Sequence, residues 1–162
     1  MKTHLVIDKL NEAVSLEFGA FHMYLQFSLV VHGPERIKWH EFFEGQSKEA
    51  LGHAKLFAGK VVALGGVPTV VPANFKQSQD LQEMLKIASE TESRAVQIYT
   101  SIHTLVEGRD KPLQYLLEQQ IQDEQQDVEE IGRFLRQTKL GTTAGARAVR
   151  SKSSASVAMH SA

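Results

Sequence analysis

Five side chains have the types and spacing to do chemistry together: Glu17, His53, Glu92, Glu124 and Asp127. Each lies on the apolar stripe of a stretch with helical periodicity, not opposite it. The first stripe is Leu10, Ala13, Glu17, Phe21, Tyr24 and Ser28, and the third repeats its pattern with Leu85, Ala88, Glu92, Val96, Tyr99 and Ile102. The second is Phe43, Gln46, Ala50, His53, Phe57 and Leu64, and the fourth is Leu117, Gln120, Glu124, Asp127, Ile131 and Leu135. A carboxylate on such a stripe is taken out of water, where an unpaired charge loses several kcal/mol of hydration. A bound cation offsets that cost and holds the acids ionised. The chain has no cysteine, so disulfides and thiolate ligands are excluded and metal chemistry falls to carboxylates and imidazoles, which suit iron, manganese or zinc. Several oxygen donors with one imidazole favour iron or manganese over a closed structural zinc site.

A single glutamate on a helix is ordinarily solvated, and a single histidine is ordinarily a satisfied core or boundary residue. The joint placement is what carries weight. Tyr24 and Tyr99 share stripes with the acids and read as core residues whose hydroxyls bond near the site. His4, His22, His32, His40, His103 and His160 share no spacing with the acids and read as surface or boundary residues.

Four helices must position these groups. The first runs from about Thr3 to His32 and stops at Gly33–Pro34, where Gly can close one helix and Pro can open the next. The second reaches about Leu64, before Gly65–Gly66; the third opens with Asp80 and Glu83 at capping-box spacing and ends at Gly108. The fourth starts near Asp110, tolerates Pro112 in its first turn and is expected to end before Gly141. Helices of roughly 30 residues are about 45 Å long, a length suited to an elongated bundle. Tight turns make helices one and two antiparallel, and likewise three and four. The link from Gly65 to Gln79 can reach about 50 Å if extended, so with Pro68 and Pro72 stiffening it the chain returns along the bundle and helices two and three run parallel. Counted from one end of the bundle, the four polar positions agree in height within roughly four residues, or about 6 Å.

The residues around these positions resemble those of the bacterioferritin and bacterial ferritin family over residues 1–140. The matching text is LNEAVSLEFGAFHMYLQ around Glu17, FFEGQSKEALGHAKLF around His53, LQEMLKIASETE ending at Glu92, and QQIQDEQQDVEEIGRFL around Glu124. The resemblance implies an all-α, ferritin-like four-helix bundle with a ferroxidase-type di-iron centre, in a subunit of a hollow homo-oligomeric cage. It places terminal ligands at Glu17 and Glu92, and on helices two and four a bridging Glu with a second ligand three residues later. Those positions hold Ala50 with His53 and Glu124 with Asp127.

Two departures follow: Ala50 has no donor atom, and Asp127 stands where bacterioferritins carry His. On this pattern one iron keeps Glu17, His53 and Glu124, the other keeps Glu92, Glu124 and Asp127, and binding is expected to be weaker. Glu49, about 100° round the helix from Ala50, can swing in but is expected to face the interior surface of a cage. Tyr24 and Gln125 are expected to support the ligands, Gln125 because it follows Glu124 in the order seen in many non-haem ferritins. The haem-ligating methionine of bacterioferritins falls on Leu51, so no haem is expected. The implied chemistry is oxidation of Fe(II) by dioxygen or peroxide and transfer of Fe(III) to a mineral core, slowed or altered by Ala50.

At 162 residues, 42% hydrophobic and 23% charged, the chain fits one globular domain and not a disordered or fibrous one. No apolar run approaches the roughly 20 residues that cross a bilayer, and the first residues lead into charged helical sequence instead of a secretory stretch, so a cytoplasmic location is expected and a membrane partner is not. Residues 141–162 form a Ser/Ala/Gly-rich tail with Arg147, Arg150 and Lys152 and no acid, a local +3 that leaves 1–140 at −4 within a total of −1. Such a composition reads as disordered by default, or as a poor version of the short fifth helix of cage ferritins. A basic tail could also touch nucleic acid, as in the DNA-protecting miniferritins, though three charges give little affinity at physiological salt. The competing classes are another di-metal enzyme of the same bundle, disfavoured by the absence of cysteines for an electron-transfer iron centre, and a non-catalytic structural or partner subunit of a cage, for which Ala50 is the best argument.

Overall fold

The computed structural model describes the backbone of residues 3–157 and the side chains of residues 3–136. Four helices follow in chain order: α1 (Thr3–Val30), α2 (Arg36–Ala63), α3 (Leu81–Val106) and α4 (Lys111–Val157). Among the described residues there is no strand, and no helix is long and apolar enough to cross a membrane. The architecture is the all-α four-helix bundle expected from the periodicity.

The helix ends follow local chemistry. Gly33 adopts φ of 100°, a region closed to residues with a Cβ without strain, and its carbonyl accepts from Arg36 N–H at 3.1 Å to turn α1 into α2. Asp80 caps α3 by accepting from Glu83 N–H at 2.9 Å, while its own N–H goes to the Ser78 hydroxyl at 3.1 Å. The reciprocal half of the capping box is therefore supplied by Ser78, and Glu83 turns to Lys86 instead. Asp110 accepts from Leu113 N–H at 3.1 Å, with Pro112 in the first turn of α4 as expected.

Helix α4 departs from expectation at its far end: it passes Gly141 and continues to Val157, without a break for a separate fifth helix. Two helical glycines cost about 1 kcal/mol each relative to alanine, but the segment holds Ala144, Ala146 and Ala148 and no proline, so nothing in it forces a stop. The tail side chains Arg147, Arg150 and Lys152, and with them the reading of nucleic-acid contact, lie outside the described residues, as does His160.

The crossover between α2 and α3 runs extended along the outer side of α1. Asn11 donates to Val67 O at 3.1 Å and accepts from Thr69 N–H at 2.8 Å. One turn on, the Ser15 hydroxyl donates to Val71 O at 2.8 Å and the Ser15 carbonyl accepts from Ala73 N–H at 2.7 Å. At Gly19 the crossover comes closest: a Cβ there would lie 2.7 Å from Ala73 O, so the glycine makes room for the backbone. Further along, Gln26 donates to Gln77 at 3.2 Å. This path carries the chain back one bundle length and makes α2 and α3 parallel.

Two apolar clusters fill the bundle. One gathers Val6, Leu10, Val14, Phe57, Val61, Ile102 and Leu117. The other gathers Met23, Phe27, Trp39, Phe43, Met84, Leu85 and Ile131, with Trp39 edge-on to Phe134 at 5.1 Å, which ties α2 to α4. Each fully buried Leu or Phe contributes about 1.5–3 kcal/mol. Between the clusters lies one polar layer, which contains Glu17, Glu92 and Glu124, the buried acids among the described residues.

Candidate metal centre

The polar layer is assembled from all four helices. Glu17 on α1 is 3% exposed, Glu92 on α3 is 6% and Glu124 on α4 is 3%; His53 enters from α2 with 13% of its side chain exposed. His53 Nδ1 lies 2.8 Å from Glu124 and 3.9 Å from Glu17. Ligand atoms of Glu17, His53 and Glu124 all fall within 4.8 Å of one another. Two tyrosines brace the acids from opposite sides: Tyr24 on α1 donates to Glu92 on α3, and Tyr99 on α3 donates to Glu17 on α1 and sits 3.4 Å from Glu124. The pair crosses between the two helices, so each hydroxyl satisfies an acid on the partner helix.

Burial sets the electrostatics. It pushes Glu17 up to about 8, with Glu92's charge adding to the rise and Tyr99 and His53 opposing it. Glu124 is likewise pushed up to about 8 by burial and then by Glu17, against a hydrogen bond from Glu92. Glu92 rises well above the usual carboxylate range through burial, then Glu124. Asp127, less enclosed, rises to about 6 through burial and then the charge of Glu49, opposed by a hydrogen bond from Gln46. Burial also raises both tyrosines. Without a cation Glu17, Glu92 and Glu124 favour their protonated forms near neutral pH; with one, ionised carboxylates become the favoured form. The donor set, three enclosed carboxylates and an imidazole with no sulfur, fits a divalent ion of the iron or manganese kind.

The remaining sequence-derived residues are placed as follows. Asp127 borders the layer with Gln46, Glu49 and Ala50 around a cavity of about 10 Å³. Glu49 is exposed, although its charge reaches Glu17, Glu124 and Asp127. Leu51 is half-buried on α2. Gln125, expected to support the ligands, instead faces solvent and donates to Glu129 at 3.3 Å, because it stands about 100° round the helix from Glu124. Gln46 is legible in the sequence only as a polar residue on the second stripe; its bond to Asp127 emerges from the α2–α4 packing. Of the other histidines, His40 donates from Nδ1 to Ser28 O at 2.8 Å and His103 pairs with Glu118 at 3.0 Å, both away from the layer.

A four-helix bundle with two antiparallel pairs joined by one long crossover, and buried acids on three of its helices at mid-length, defines the ferritin-like class of fold. The chain belongs to the ferritin family: the family's ferritin-like domain matches residues 7–141. Among solved structures it is similar to a ferritin-like di-iron-carboxylate protein of Bacillus anthracis str. Ames, at 33% identity over 82% of this chain and 96% of that one, with a TM-score of 0.80. The dodecameric thioferritin of Bacteroides fragilis, described as bacterioferritin-related, shares 23% identity over 89% and 92% of the two chains with a TM-score of 0.82. The bacterioferritin of Rhodobacter capsulatus shares 20% over 84% and 86%, with a TM-score of 0.75. The last two likenesses are of fold. No curated protein matches.

Proposed function

We propose that this chain is a ferritin-type subunit that binds Fe(II) as substrate, takes part in its oxidation by dioxygen or peroxide, and stores the product inside a homo-oligomeric cage. The observation that carries the reading is the convergence of Glu17, Glu92 and Glu124 with His53 at one level of the core. Burying three acids in an apolar bundle opposes folding unless something positive compensates them, and a Fe(II) ion supplies that charge. In the metal-binding form Glu17, His53 and Glu124 hold the ion, Tyr99 fixes the Glu17 carboxylate, and Tyr24 fixes Glu92. The two apolar clusters above and below exclude bulk water, so the reacting ion meets oxidant in a small enclosed space. The centre is weakened relative to the family pattern, because Ala50 offers no donor between Gln46 and His53.

Ala50 also favours a second reading, a cage subunit that assembles without oxidising iron. Anaerobic Fe(II) titration followed by stopped-flow mixing with dioxygen or peroxide, together with the size-exclusion mass and the iron content of the loaded protein, separates the two. A large assembly that binds and retains iron supports storage; a large assembly with no iron above background refutes it in favour of the structural role.

A further inference from the structure

We infer that the centre takes one metal ion per chain, held by Glu17, His53 and Glu124, and that the second position of a paired-metal centre is closed in this chain. The inference rests on the iron-binding reading above and specifies how many ions that site accepts.

Three observations point the same way. Among the described residues, Glu17, His53 and Glu124 are the one group of three whose ligand atoms all lie within 4.8 Å of one another, a span that a small closure brings onto a single ion with bonds of about 2.0–2.2 Å. The acids that would serve a neighbouring ion stand outside that group of three: Glu92 bonds to Tyr24 and to Glu124, and Asp127 is held by Gln46. The cavity bounded by all of these residues is about 10 Å³, close to the volume of one water-sized sphere.

Ala50 explains why the second position stays closed. It is 5% exposed and lines that cavity beside Gln46, Glu49 and His53, so a methyl group stands where an oxygen donor from α2 would reach the layer. Two divalent ions about 3.5–4 Å apart repel with four times the energy of unit charges at that distance. Paired sites overcome this with shared anionic bridges, and here Glu124 is the one buried carboxylate left to bridge. A site with one bridge and two engaged neighbours holds a single ion more strongly than a pair.

The stoichiometry bears on the chemistry. Reduction of dioxygen to hydrogen peroxide takes two electrons and two protons, and each Fe(II) that becomes Fe(III) gives one electron. A one-ion centre therefore draws the second electron from another Fe(II), in a second chain or at a second loading, and hands iron on between the two steps.

Titration of the full-length protein with Co(II) in the absence of oxygen tests the inference, read by the visible absorption of enclosed, low-coordinate Co(II) and, in parallel, by EPR of added Mn(II). The expected result is saturation at one equivalent per chain with the EPR signal of an isolated ion. An Ala50→Glu chain, checked for helical circular dichroism and unchanged assembly size, is expected to saturate at two equivalents with an exchange-coupled Mn(II) pair. Saturation of the unsubstituted chain at two equivalents, with a paired signal, overturns the one-ion inference and leaves the iron-binding reading standing. Absence of any enclosed-site absorption overturns the iron-binding reading itself. A folded Ala50→Glu chain that still saturates at one equivalent overturns the role given to Ala50.

Discussion

Metal binding to this protein is expected to release protons, and the number can be worked from the core. Burial pushes Glu17 and Glu124 up to about 8, so at pH 6.5 both are mostly protonated. An ion that needs ionised donors must displace about one proton from each, and below the pKa each displaced proton raises the apparent affinity about tenfold per pH unit. The affinity for Co(II) or Fe(II) is therefore expected to rise about 100-fold between pH 6 and 7 and to level off above about pH 8–9. The same groups act on the metal-free fold with a definite sign. Their folded pKa lies above the 4.5 of an ordinary glutamate, so protonation favours the folded chain; this contribution is complete below about pH 4.5 and is lost as pH rises through about 8. A tenfold change in proton affinity corresponds to about 1.4 kcal/mol, so the two acids together account for a loss on the order of several kcal/mol. Calorimetric titration at pH 6.5 in two buffers of different ionisation enthalpy gives the proton count, and thermal melts with and without metal give the stability. Release of less than one proton per ion, or a metal-free protein that is more stable at pH 9 than at pH 5 to 6, refutes the reasoning.

Three further outcomes are expected. Tyr99→Phe removes the hydroxyl that donates to Glu17 and approaches Glu124, and should cost the metal-free protein about 1–3 kcal/mol in urea denaturation by leaving buried acceptors unsatisfied. Glu17→Gln should lower Co(II) affinity at least tenfold, by an order-of-magnitude estimate for a lost ionic ligand, yet stabilise the metal-free fold at pH 8, where one buried charge is gone; a pH 8 melt below that of the unsubstituted chain contradicts this. Gly19→Ala places a Cβ 2.7 Å from the Ala73 carbonyl oxygen, and the forced shift of the crossover should cost about 1–3 kcal/mol, with no change in metal stoichiometry.

Much of this is legible in the sequence because the signals are periodic. Apolar residues at helical spacing place the four helices, and all their ends but the far end of α4, to within a few residues, and Gly33, Gly65 and Gly108 mark the ends of the first three. The length of the link from Gly65 to Gln79 implies the parallel run of α2 and α3 before any contact is known. Glu17, Glu92 and Glu124 stand out because acids on an apolar stripe need a reason to be there. What stays hidden depends on packing or on weak local preference. Gln125 and Glu124 are adjacent in the chain, yet one is exposed and the other buried, since neighbours on a helix point in different directions. The engagement of Asp127 by Gln46 joins two helices far apart in sequence. The extent of α4 past Gly141 escapes a reading of local punctuation because glycine stops a helix only when the residues beyond it cannot continue one, and an alanine-rich segment can.

The crossover has a mechanical consequence for the centre. Its anchor points on α1, Asn11, Ser15 and Gly19, bracket Glu17 in sequence, so the strap presses on the back of the same helical turn whose inner side carries the acid. Sliding α1 along its axis would break the ladder of bonds to Val67, Val71 and Ala73 before it moved the carboxylate by one residue. A loop that adds no side chain to the polar layer thus acts as a splint for the helix that carries Glu17.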